Sequence, residues 1–234
     1  MIKAILFDLD GTLLPLDTDD FLRQYLKAIS SSVAHLTDPA KFVQDLVAST
    51  NAMIQSTNPY LTNKEVFWND FLARVDLPEE VLMPVLDDFY AHKFPELALY
   101  ANPSPLSQEI IEQAAARGFG LVIATNPVFP TEAVQERMRW IGIDDHPFDL
   151  VTTYEVMHFC KPQLAYYEEI LTKTGYNAQE CLMVGNDAYE DLIAAKLGMQ
   201  TFLVEDYLID RPESDFSPDY RGTLADVYEF ITQL

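Results

Sequence analysis

The stretch ILFDLDGTLL, residues 5–14, sets two carboxylates, Asp8 and Asp10, one residue apart behind an apolar run and closes with Gly11 and Thr12. Like charges a few ångströms apart in a cleft repel, and each loses water on burial, so the pair needs a positive group between its members. Other polar residues stand at comparable places further along: Thr125-Asn126 behind an apolar run, Lys161-Pro162 before a helical pattern, and Asn186-Asp187 with Asp191 behind another apolar run. A single acid or threonine at such a place is an ordinary helix cap or turn former. Four such places in one chain are harder to assign to capping alone.

The elements that position these residues follow from hydrophobic spacing. Ile2 and residues 4–7 form a near-continuous apolar segment, the pattern of a strand covered on both faces. Past Asp17, Phe21, Leu22, Tyr25, Leu26 and Ile29 recur at three and four, with Asp19 and Asp20 near the expected N-terminus. Helical spacing continues over 42–54, 66–72 and 81–90, broken near Asn58-Pro59, Pro78 and Pro95. From about Ser107 helices (109–117, 131–141, 164–174, 190–197, 224–231) alternate with strands (121–125, 150–153, 181–184, 201–204). Gly118, Gly142, Gly175 and Gly198 fall at four helix ends, where a left-handed cap favours glycine. Alternation of this kind predicts an α/β fold, a doubly wound parallel sheet with right-handed crossovers. The first strand has no sheet neighbour until Leu121, so the all-helical block reads as an insertion. The expected organisation is a core of residues 1–15 and 99–234 and a helical domain of 16–98. Ligands of open α/β sheets bind at the carboxyl ends of strands, where the polar residues lie.

Composition narrows the partners. Among 234 residues, 15 Lys plus Arg face 37 Asp plus Glu, a net charge of -22. That balance argues against nucleic acid and anionic membrane, both of which are bound through clustered Lys and Arg. With 49% hydrophobic residues the chain reads as a folded globule. It shows neither a secretory signal nor an 18-residue uncharged apolar run, and a cytoplasmic protein is the expectation. The two cysteines, Cys160 and Cys181, are too few for a disulfide scaffold and read as buried thiols.

Four segments in order, FDLDGTL at residues 7–13, IATN at 123–126, KP at 161–162 and VGNDAYED at 184–191, resemble the motifs of the haloacid dehalogenase superfamily. The subgroup is the phosphohydrolases with a helical cap inserted after the first motif. The resemblance implies a Rossmann-like core and a Mg²⁺-dependent phosphomonoester hydrolase acting on a small-molecule phosphate ester. In it Asp8 is the nucleophile that becomes an aspartyl phosphate, and Asp10 is the acid/base that protonates the leaving oxygen and then activates water. Thr125, Asn126 and Lys161 bind the phosphoryl oxygens. Asp8, Asp10 through its carbonyl, Asp187 and Asp191 hold the metal.

The fourth motif departs from the commonest form of the family because Asn186 intervenes between Gly185 and Asp187. The pleat forbids both side chains from pointing one way, and Asp187 is favoured here because a carboxylate binds magnesium more strongly than an amide. Asp191 is either a direct ligand or an anchor for Lys161. A sugar-phosphate mutase and a non-catalytic binding protein retain the same residues and stand as alternatives, whereas dehalogenases lack an acid at the place of Asp10. His35, His92, His146 and His158 have no ligand spacing and are given no role. The aromatic stretch over 60–71 fits either helical packing or a pocket wall under the cap. Arg23 and Lys27 are the cations expected closest to the first motif.

Overall fold

The computed structural model describes residues 1–211 and 214–234. Strand β1 (Ala4–Phe7) is wholly buried, with Ile5 and Phe7 packing on one face and Ala4 and Leu6 on the other. This is why its sequence is apolar without alternation. It pairs in parallel with β2 (Gly120–Ile123) on one side and, across a long gap in sequence, with Cys181–Gly185 on the other. With β3 (Leu150–Val151), β4 (Cys181–Gly185), β5 (Gln200–Val204) and β6 (Tyr220–Gly222), the sheet among the described residues is six-stranded and parallel, in the order β3-β2-β1-β4-β5-β6. The order reverses at β1, so Asp8 leaves the sheet where its crossovers diverge to opposite sides.

The sixth strand was not legible in sequence. It is a three-residue edge strand in which Tyr220 and Arg221 are exposed, so it carries no apolar run. The helix expected over 190–197 is a 3₁₀ helix, Leu192–Leu197. All four glycines expected at helix ends have positive φ.

Between β1 and the next core helix the chain is helical, as expected: α1 (Thr18–Ser32), α2 (Pro39–Gln55), α3 (Asn63–Arg74) and α4 (Glu79–Asp88). Their starts are written locally. The Asp17 and Asp38 carboxylates accept from the Asp20 and Lys41 backbone N–H groups, and Thr62 with Glu65 forms a reciprocal capping box. Pro84 lies inside α4, and beyond it the chain passes through a π turn (Phe89–Lys93) into a 3₁₀ helix (Phe94–Tyr100). The core resumes with α5 (Pro105–Ala116), followed by α6 (Thr131–Trp140), α7 (Leu164–Thr174) and α8 (Leu224–Gln233).

The cap is fastened to the core by rings and by a few hydrogen bonds. Phe94 stacks on Trp140 with centroids 5.8 Å apart, and Tyr25 meets Phe129 edge-on at 5.1 Å. The buried Asn63 amide donates to the Pro127 and Phe159 carbonyls, and Gln163 donates to the Ile54 carbonyl at 2.7 Å. The start of α3 is thereby held against the loops that carry the second and third motifs. Among the described residues no helix is long and apolar enough to cross a membrane.

Candidate active site

Asp8 follows β1, its backbone N–H donating to the Val184 carbonyl of β4 at 2.8 Å, which continues the sheet register one residue past the strand. Its carboxylate is divided between two neighbours. Oδ1 accepts from Lys161 Nζ at 2.8 Å, and Oδ2 lies 3.3 Å from the Thr12 hydroxyl. The loop that turns there needs Gly11, at φ +79°. A Cβ at that position would stand 2.3 Å from the Asn186 amide nitrogen as well as adopting a disfavoured backbone.

Lys161 is 1% exposed and reaches a second carboxylate, Asp191 Oδ1, at 2.6 Å. Burial opposes its charge, but Asp191 and Asp8 outweigh burial and hold the ammonium well above its ordinary value. Burial pushes Asp8 up, with Lys161 opposing, and pushes Asp191 up to about 7. Lys161 is thus the positive group that the opening pair demanded, and it serves Asp8 and Asp191 rather than Asp8 and Asp10.

Asp10 has its own cation. Arg137, on the buried face of α6, donates from Nη1 to Asp10 Oδ2 and from Nε to the Ala133 carbonyl, with its guanidinium 4.5 Å above the Phe129 ring. Asp10 Oδ1 is buried with no hydrogen-bond partner among the described residues. Sequence reasoning missed Arg137. The signal was an arginine at a core position of an amphipathic helix, in register with Ala133, Val134 and Met138.

Asp187, expected on the metal in preference to Asn186, turns elsewhere. Its Oδ1 accepts from the Tyr189 and Glu190 backbone N–H groups, and its Oδ2 pairs with Arg211 at 2.7 Å. Asn186 takes the other side of the pleat. Its Oδ1 is 3.1 Å from the Thr12 hydroxyl, and its Nδ2 donates to the Tyr207 carbonyl. Ligand strength alone favoured Asp187, but Arg211, in a loop 24 residues downstream, claims its carboxylate. Asp191 holds Lys161, and its Oδ2 accepts from the Asp187 backbone N–H at 2.9 Å. Gly185 leaves room for it, since a Cβ there would lie 2.1 Å from Asp191 Oδ2.

Thr125 is buried beside this group, its carbonyl fixed by the hydroxyls of Thr152 at 2.7 Å and Tyr166 at 2.9 Å. The Asn126 amide donates to Glu190 at 3.1 Å. Arg23 pairs with Asp20 on the surface, and Lys27 lies on another outer face of the cap. His158 is bonded to Glu169 at 2.7 Å, outside the site. Cys160 is buried, accepts a hydrogen bond from Asn63, and has its thiol pushed up by burial.

The acids expected to form one cluster are therefore distributed, Asp187 to Arg211 and both Asp8 and Asp191 to Lys161. Among the described residues no three His, Cys, Asp or Glu side chains converge as a metal site. What remains for a cation is smaller and all oxygen: Asp8 Oδ2 and Asn186 Oδ1 both face the Thr12 hydroxyl. A donor set without sulfur or imidazole fits a hard ion such as Mg²⁺.

The family model for haloacid dehalogenase-like hydrolases matches residues 2–198. The chain belongs to that family. It is 26% identical to a glyceraldehyde 3-phosphate phosphatase from Methanothermobacter thermautotrophicus, over 100% of this chain and 98% of that protein. It is 28% identical to a phosphoglycolate phosphatase from Vibrio parahaemolyticus, over 98% and 96% of the two chains. In fold it is similar to the crystal structure of a haloacid dehalogenase-type phosphatase from Thermococcus onnurineus, with a TM-score of 0.61 and 20% identity over 98% of each chain.

Proposed function

We propose that the chain is a Mg²⁺-dependent phosphomonoesterase that works through an aspartyl phosphate on Asp8, with residues 1–15 and 99–234 carrying the chemistry and residues 16–98 covering it. The observation that supports this most is the Asp8 carboxylate: buried, one oxygen held by Lys161, and two residues before a second acid held by its own arginine. A phosphoryl group in transfer carries its charge on equatorial oxygens, so positioning and neutralisation dominate its catalysis. The names of both relatives point the same way.

In the first step an Asp8 oxygen attacks phosphorus, the ester P–O bond breaks, and the leaving oxygen takes the proton of Asp10. In the second, a water loses a proton to Asp10 as it attacks phosphorus, and the bond from phosphorus to Asp8 breaks to release phosphate. Asp10 must be aimed in both steps, and Arg137 fixes one of its oxygens while Oδ1 is presented for proton transfer. Lys161 and the Thr125 hydroxyl hold the phosphoryl oxygens. Asn126 adds its backbone N–H, because Glu190 engages its amide. Asp8, the Asp10 carbonyl and Asn186 would hold Mg²⁺, whose charge lets one anion approach another.

Phosphate release from a panel of esters, repeated with EDTA and with Asp8→Asn, tests the reading. Turnover that survives chelation or the substitution defeats it.

A further inference from the structure

Over the strand ends the cap helices do not pack solidly. Helices α1 to α4, together with the loops after β2 and β3, enclose a cavity of about 550 Å³. That lies within the range of about 300–1,000 Å³ occupied by pockets for small organic ligands. Its floor on the core side is Asn126, adjacent to Thr125, with Phe129, the ring that lies under Arg137. Its walls are hydrocarbon and aromatic, led by Leu22, Leu26, Phe67, Trp68, Phe71 and Leu86. The cavity therefore starts at Asn126, whose backbone N–H belongs to the proposed phosphoryl site, and runs from there into the cap.

Its polar atoms bear on recognition as strongly as its apolar ones. The Tyr25 and Tyr90 hydroxyls are 2.9 Å apart and bonded to each other, and the Trp68 indole N–H donates to the Tyr154 hydroxyl at 3.3 Å. Such groups are satisfied by one another and are not spread out for a polyol. At the floor, Asn126 Oδ1 is buried without a hydrogen-bond partner among the described residues, and it is an acceptor. Among the described lining residues Lys64 is the one cation, half exposed and 4.0 Å from Glu155, while Asp87, Glu132 and Glu155 are acidic. An anionic leaving group entering here would lose water and meet acceptors, and the buried cation under the floor, Arg137, lies behind the Phe129 ring and is paired with Asp10.

We propose that this cavity is the subsite for the alcohol half of the substrate, and that the ester is the monophosphate of a bulky, uncharged, apolar alcohol, aryl or branched aliphatic, rather than of a small hydroxy acid or triose. The proposal rests on the phosphomonoesterase reading above. It separates this chain from the two relatives, whose names refer to small polar esters.

The test uses the Mg²⁺-supplied enzyme with a series of n-alkyl phosphates from ethyl to octyl, with 1-naphthyl phosphate, phosphoglycolate and glyceraldehyde 3-phosphate alongside. Each methylene that enters the cavity should raise kcat/KM about fourfold until the cavity is filled. Phosphoglycolate should be a poorer substrate than ethyl phosphate. Thr50→Trp, which projects a large ring into the cavity from α2, should flatten the dependence on chain length, the rate on octyl phosphate falling toward that on ethyl phosphate. Where that variant does not fold, Ala91→Leu serves the same purpose. A flat alkyl series with phosphoglycolate or glyceraldehyde 3-phosphate preferred overturns the inference and leaves the phosphatase reading standing. Absence of turnover on every ester, ethyl phosphate included, removes the phosphatase reading and the inference with it.

Discussion

The strand ends and the cap cavity beside them are built by opposite means. At the strand ends, charged side chains are buried in matched sets: Lys161 between Asp8 and Asp191, Arg137 on Asp10, Arg211 on Asp187. In the cap, polar atoms are bonded to each other and the surface left over is hydrocarbon. One end fixes directions for a charged reaction, whereas the other offers volume without direction. The difference teaches where each kind of information resides. Reactivity depends on a few atoms in strict relation, and selectivity depends on the shape of many interchangeable ones.

Substitutions at the two ends should separate accordingly. The largest effect belongs to Asp8→Asn, which should lower kcat/KM by about 10⁴-fold or more, as removal of a nucleophile does. Its folding should stay near wild type, because Lys161 keeps Asp191 as a partner; a variant that loses activity only because it unfolds in thermal melts would make Asp8 structural. Next is Lys161→Met. It leaves Asp8 and Asp191 buried without their shared cation, and equilibrium denaturation should show a loss of about 3–5 kcal/mol. Retention of full stability would mean that the triad is weaker than its geometry implies.

Arg137→Met sharpens the comparison because Arg137 touches both ends, Asp10 on one side and the Phe129 ring on the other. With an alkyl ester, whose leaving oxygen needs a proton, kcat should fall about hundredfold. With 4-nitrophenyl phosphate, whose leaving group departs without help, the fall should be much smaller. An equal fall on both would assign Arg137 to folding alone. At the metal position, Asn186→Ala should raise the Mg²⁺ concentration for half-maximal activity by about tenfold or more, while Asp187→Asn leaves it in place. The reverse result would restore Asp187 as the ligand. The smallest effect is chemical. Burial pushes the Cys181 thiol up to about 11 and Cys160 higher still, so at pH 8 both should react with a thiol reagent far more slowly in the folded than in the unfolded protein.

Much of the strand-end site was legible in the amino-acid sequence because its residues are chemically conspicuous. Acids at the end of an apolar run, and a lysine before a helix, have few bland explanations. The parallel sheet and the helical insertion were legible for a related reason, since continuous apolar runs and spacing at three to four residues report burial directly. The pairing of Asp187 with Arg211 was not legible, because it spans 24 residues that include a 3₁₀ helix and β5, and such pairing leaves no trace in spacing. Arg137 escaped notice because a single charge on a helix is usually solvated. The cavity walls were half legible, in that the aromatic run over 60–71 was open to both packing and pocket. Phe67, Trp68 and Phe71 do both, whereas Tyr60 is exposed. Core packing and an apolar pocket use the same residues at the same spacing, so sequence has no means of telling a filled interior from a hollow one.

The central claim is that Asp8 itself bonds to phosphorus, and the stereochemical course of hydrolysis tests it most directly. With an ester made chiral at phosphorus by oxygen isotopes, two successive in-line displacements predict net retention of configuration. Net inversion would mean that water attacks the ester in a single step, and that Asp8 is not the nucleophile.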